Sequence, residues 1–135
     1  MTIQWDESLR LGVPAIDKQH EEIFVYFDKL TDAIQKGDGR SAVIDLLAYL
    51  DYYVSIHFSD EELTMEGCKY PYIEEQRKQH STFKGNITTL SSLLNTNVPP
   101  QEISIKLDAE LIRYFIIHVH KLDKALADYI KLQTI

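Results

Sequence analysis

Apolar side chains recur at steps of three and four along most of this chain, the period of a helix with one buried face. His20, Ile23, Phe24, Phe27, Leu30 and Ile34 mark the first such face. Asp17 offers an N-cap before it and Gly37-Asp38-Gly39 a stop behind it, so the spacing predicts a helix over about 17–36. Val43, Leu46, Leu50 and Val54 run on into His57 and Glu61 and predict a second helix over about 41–66, closed by Gly67. Pro71 suits the first turn of a third, over about 71–95, whose stripe reads Ile73, Gln76, His80, Phe83, Ile87, Leu90 and Leu94. The stretch from Asn95 to Pro100 breaks the pattern, and a fourth helix follows over about 101–132 with Phe115, Val119, Leu122 and Leu126 along its inner face. Residues 1 to about 16 lack the period; Gly12 and Pro14 keep this arm from being helical, while Trp5 and Leu9 tuck it against the helices. Short connections between long helices give an all-α, up-down-up-down four-helix bundle with an N-terminal arm.

The polar residues on these apolar stripes carry the chemistry. His57 and Glu61 stand four apart, on one side of a helix, and face inward. Gln76 and His80 repeat that relation on the third helix, and His20 lies on the apolar face of the first. On the fourth, His118 and Asp123 fall about 70° to either side of the centre of the inner face, and His120 falls roughly 130° away, toward solvent. Asp60, Glu62, Glu74, Glu75, Arg77, Lys78 and Gln79 sit off the stripes and read as a solvated face. Alternating helix direction brings His20, His57, Glu61, Gln76, His80, His118 and Asp123 to one end of the bundle. Buried ionisable groups are costly unless paired or bound to a metal, so this shared depth points to a metal centre.

Composition narrows the setting. With 135 residues, 44% hydrophobic, only 5 Gly and 4 Pro, the chain suits one compact domain with one core. It lacks an apolar run of about eighteen residues, and the stretch Met1 to Glu7 has neither the basic nor the apolar region of a signal peptide. Cys68 is the sole cysteine, which excludes an intrachain disulfide and agrees with a reducing compartment; a cytoplasmic protein is the expectation. Fourteen Lys and Arg against 21 Asp and Glu give a net charge of -7, the wrong sign for nucleic acid or an anionic membrane. The ligand expected is therefore a small molecule or an ion.

Imidazole and carboxylate without thiolate suit iron, and also manganese, zinc or copper. The donors exceed a single tetrahedral site, whereas two octahedral ions bridged by Glu61 and Asp123 would use them with positions left over. The high share of histidine favours reversible ligand binding over strongly oxidising carboxylate chemistry.

The motifs then match a known pattern. The Trp5 arm, Asp17-Lys-Gln-His20-Glu, His57-Phe-Ser-Asp-Glu61-Glu, Tyr70-Pro71, His80-Ser-Thr-Phe83 and His118-Val-His-Lys-Leu-Asp123-Lys cover nearly the whole chain in order, and with them the chain resembles the hemerythrin family, in particular bacteriohemerythrins. The resemblance implies two non-heme iron ions, bridged by an oxygen species and by Glu61 and Asp123. His20 and His57 would ligate the iron that binds dioxygen, and His80 and His118 the other. The family has a further histidine where this chain has Gln76. Its oxygen coordinates weakly, or water or an exogenous ligand fills the gap, or Glu75 rotates inward; the second iron is then open and the oxygenated form oxidises fast. Tyr114 stands where the family usually has Trp, and Ile116 aligns with the apolar residue lining the dioxygen site.

The leading function is binding of dioxygen, or nitric oxide, for storage, delivery or sensing, with an output domain if the bundle belongs to a longer signalling protein. An enzyme turning over peroxide or nitric oxide ranks below it, because no dedicated proton donor or substrate pocket shows in the sequence. A metal-free interaction bundle ranks last, because it makes the shared depth of the polar groups an accident.

Overall fold

The computed structural model describes residues 5–133, so residues 1–4 of the expected arm lie outside it. Four long helices account for most of the chain: α1 (Pro14–Gln35), α2 (Arg40–Gly67), α3 (Ile73–Leu93) and α4. The last spans 100–133 and is built of five consecutive segments: Pro100–Lys106, Leu107–Ile112, Arg113–His118, Val119–Asp123 and Lys124–Gln133. No strand occurs among the described residues.

Side-chain pairings show the direction of each neighbour. Gln19 meets Asp60 and Tyr26 meets Tyr53, so α1 and α2 are antiparallel. Arg77 meets Glu62 and His80 meets Phe58 between α2 and α3. Gln79, Phe83 and Asn86 meet His118, Tyr114 and Glu110 in turn between α3 and α4. The result is an all-α, up-and-down bundle.

Its core follows the predicted stripes with small shifts. Leu47, not Leu46, is fully enclosed on α2. Phe24, Phe27, Phe83 and Phe115 interlock at ring-centroid distances from 5.3 to 6.4 Å and form a buried aromatic layer through the middle of the bundle.

The start of α1 differs from the expectation. The helix begins at Pro14, whose fixed φ and missing N–H suit a first helical position, and Val13 occupies the N-cap. Asp17 is therefore not the cap. Its buried carboxylate reaches back to accept the backbone N–H groups of Leu11 (2.8 Å) and Gly12 (3.0 Å), folding the arm against the helix. Gly12 holds φ +83°, and a Cβ there would meet the ammonium of Lys131, which donates to the Leu11 carbonyl. Trp5 packs edge-on against Phe24 at 5.8 Å and Leu9 is buried, so the arm is tied to the end of the bundle where α1 begins.

Candidate metal centre

At that end the core turns polar. His20 on α1, His57 and Glu61 on α2, Gln76 and His80 on α3, and His118 and Asp123 on α4 are all buried. The aromatic layer lies directly beneath, with Phe115 edge-on to His20 at 5.4 Å and Phe58 stacked flat on His80 at 3.9 Å.

The placement of Asp123 rests on an irregular turn. At a uniform helical period it lies at the edge of the inner face, but Val119–Asp123 is a π-helical turn, whose i→i+5 bond carries residue i+5 round to the side of residue i. His118 and Asp123 then stand one above the other, with His118 Nε2 3.1 Å from Asp123 Oδ1. The slip moves the whole face beyond it: Asp123, Leu126 and Ala127 are buried, while Leu122 is only half-buried. His120 is exposed.

The ligand atoms fall into two groups that share the carboxylates: His20, His57, Glu61 and Asp123 in one, and Glu61, His80, His118 and Asp123 in the other. Within each group the donor atoms all lie within 4.8 Å of one another. Glu61 turns Oε2 toward His57 Nε2 (3.2 Å) and His20 Nε2 (3.5 Å), and Oε1 toward His80 Nε2 (3.1 Å). Asp123 turns Oδ2 toward His20 Nε2 (3.1 Å) and Oδ1 toward His118. Each carboxylate thus gives one oxygen to each half.

These atoms face one another closely without making hydrogen bonds. The Nε2 atoms of His20, His57, His80 and His118, both oxygens of Glu61, and Asp123 Oδ2 are buried with no hydrogen-bond partner. So many orphaned donors in one core are expensive unless something accepts their lone pairs. A metal cation in each group fits that requirement, and the N/O donor set suits a first-row transition metal.

The buried carboxylates and imidazoles shift one another strongly. Burial alone would raise the Glu61 carboxyl, but the imidazoles of His57, His20 and His80 hold it well below the usual carboxylate range. Burial and repulsion from Glu61 act the same way on Asp123, and His118 and His20 outweigh them, bringing it down to about 2. Burial would depress His20, yet Asp123 and Glu61 push it up to about 9.

Comparison with known proteins decides the family. The family model described as the hemerythrin HHE cation-binding domain matches residues 11–130. The chain belongs to the hemerythrin family. A bacteriohemerythrin of Stenotrophomonas maltophilia is 28% identical over 127 residues, covering 94% of this chain and 80% of that protein. A bacteriohemerythrin of Pseudomonas aeruginosa is 25% identical with the same coverage of each chain. A myohemerythrin of Theromyzon tessulatum is 27% identical over 107 residues, covering 79% of this chain and 78% of that protein.

Around the donors of this hemerythrin domain runs an outer ring that the apolar stripes did not reveal. Gln19, beside His20 on α1, sets Oε1 2.7 Å from His57 Nδ1 on α2. Glu62, beside Glu61 on α2, sets Oε2 3.0 Å from His80 Nδ1 on α3. Gln79, beside His80 on α3, sets Oε1 2.8 Å from His118 Nδ1 on α4. Each helix backs the histidine of the next, fixing Nδ1 as the N–H donor and leaving Nε2 free for a metal. The ring stops at α4, where Leu122 and Lys124 flank Asp123, and His20 Nδ1 has no partner. Glu62 and Gln79 are half-buried in this role rather than members of a solvated face. Asp60 is exposed and accepts from Gln19 Nε2 at 3.0 Å.

Gln76 is fully buried, donates Nε2 to Asp123 Oδ1 at 3.0 Å and leaves Oε1 without a partner. Glu75 is exposed and takes no part. Tyr114 stacks against Phe83, and Ile116 is half-buried against the core; Phe115, between them in sequence, is the aromatic that touches His20.

Proposed function

We propose that the chain holds two iron ions, one against His20 and His57 and one against His80 and His118, with Glu61 and Asp123 shared, and that it binds dioxygen or a similar diatomic such as nitric oxide there. The observation that carries this is the pair of buried, converging donor groups whose facing atoms lack hydrogen-bond partners. When bound, an iron pair supplies electrons to a diatomic ligand and takes them back on its release.

The chain's own residues do the rest. The outer glutamines and Glu62 orient the imidazoles, and the aromatic layer of Phe24, Phe27, Phe83 and Phe115 keeps water from entering through the core. The His20 and His57 group offers two imidazoles and two carboxylate oxygens, fewer than the six an octahedral ion takes, so a small ligand has room there. Tyr114 and Ile116, on the turn that carries Phe115, are the proposed lining of that pocket. Gln76 leaves the other half short of an imidazole and makes the oxygenated form prone to oxidation. Storage, delivery and sensing all follow from such binding; sensing additionally requires an output domain.

Anaerobic loading with Fe(II), metal analysis and an optical spectrum before and after oxygen addition test this function. Two irons per chain and a spectral change reversed by removing oxygen support it. Absence of iron overturns it, and net consumption of peroxide or nitric oxide replaces it with an enzymatic one.

A further inference from the structure

We propose that Glu62 is a positioning residue that gives His80 an anionic backing, strengthening metal binding in the half of the centre that contains Gln76. The proposal rests on the two-ion function above. Of the candidate ligand imidazoles, His57 and His118 are backed by neutral amide oxygens and His20 Nδ1 has no partner. His80 alone among them has a carboxylate at Nδ1. Neighbouring glutamates on α2 grip its ring from both sides, Glu61 Oε1 at 3.1 Å from Nε2 and Glu62 Oε2 at 3.0 Å from Nδ1. An imidazole that donates its N–H to a carboxylate carries more negative charge on the other nitrogen and is the stronger ligand.

Glu62 is held for this task. Arg77 Nε approaches Glu62 Oε1 at 3.3 Å, leaving Oε2 for His80, while the same guanidinium donates to Glu66 at 2.6 Å and Glu74 at 2.7 Å. Three carboxylates share one cation, so Glu62 keeps net negative character. The charge therefore stands behind the half where a neutral amide, Gln76, faces the site in place of a charged or imidazole donor.

A tie between α2 and α3 is the competing role for Glu62, and Glu62→Gln separates the two. Glutamine keeps the size and an acceptor oxygen, and the chain already uses it behind His57 and His118. The experiment titrates the metal-free 135-residue chain with Fe(II) anaerobically against a competing chelator, assigns the two steps with His57→Ala, and measures the reduction potential of the loaded protein. In Glu62→Gln, affinity in the Gln76 half falls by about 10- to 100-fold, the potential of that ion rises, and the other half is unchanged. Adding Gln79→Glu restores a carboxylate behind the second imidazole of the same half and moves both values back. Unchanged affinity and potential, equal loss in both halves, or no recovery with Gln79→Glu overturns the proposal. Should Glu62→Gln fail to fold, Gln79→Glu alone must lower the potential of the Gln76 half, and no shift overturns it. A wild-type chain that binds two ions while Glu62→Gln changes nothing leaves the function standing; a wild-type chain that binds none removes both.

Discussion

The two halves of the candidate centre share their carboxylates, each has one histidine backed by a glutamine amide, and they differ in what stands behind the other histidine. In the half built from α1 and α2, His20 has no partner at Nδ1 and His57 leans on the amide of Gln19. In the half built from α3 and α4, His80 leans on a carboxylate, His118 on an amide, and a buried Gln76 points an unpaired oxygen inward while donating to Asp123. The shared part, Glu61 and Asp123, sets the depth at which all four helices contribute. On the proposed two-ion function, the unshared part would set how tightly each ion is held, so a near-symmetric bundle could carry unequal sites without changing its fold.

The strongest way to break this comparison is to remove what the halves share. Glu61→Leu takes one oxygen from each, and both ions are lost together, which metal analysis after anaerobic loading reads directly; retention of one ion would mean that Glu61 serves one half only. Gln76→His acts on one half. It tightens the weaker step by on the order of tenfold, about 1.4 kcal/mol, and slows oxidation of the oxygenated form, followed by the decay of its spectrum. Equal decay for the two proteins removes the role given to Gln76. Gln19→Ala is the mirror change in the other half and costs about tenfold in metal affinity there alone, measured by the same chelator competition.

The last expectation concerns both halves at once, as a pH dependence of the metal-free chain. Glu61 and Asp123 are held below their ordinary values of 4.5 and 3.8, so their stabilisation is present above those values and is lost as pH falls, through about 2 for Asp123. His20 is raised from 6.5 to about 9, so its contribution is complete below 6.5 and is lost as pH rises through about 9. Thermal midpoints in the presence of a chelator should peak between pH 4.5 and 6.5. Bound metal holds His20 neutral, so the alkaline fall disappears on loading. An alkaline fall of the same size in the loaded protein would show that His20 is not a ligand.

Much of this was legible in the sequence. The inward positions of His20, His57, Glu61, Gln76 and His80 follow from a period of three and four, because α1, α2 and α3 are regular over the site. Asp123 was awkward for a physical reason: the π turn at Val119–Asp123 adds a residue to the repeat, and no fixed period anticipates it. The outer ring was hidden by the same arithmetic that exposed the donors. A residue beside a ligand points about 100° away from the stripe, which looks like solvent on an isolated helix and is the back of the neighbouring histidine in a bundle. Gln19, Glu62 and Gln79 each flank an inward donor and carry an acceptor, and that adjacency is the signal that could have found them. Asp17 is not the cap because Pro14, which breaks a helix from within, suits its first turn and starts α1 there.

The most direct test of two unequal halves around shared carboxylates is the anaerobic Fe(II) titration of the metal-free chain, repeated with His57→Ala and His80→Ala. The structure predicts two ions per chain in two resolved steps, His57→Ala abolishing the tighter and His80→Ala the weaker. A single ion, or two ions in steps that both variants affect alike, would contradict it.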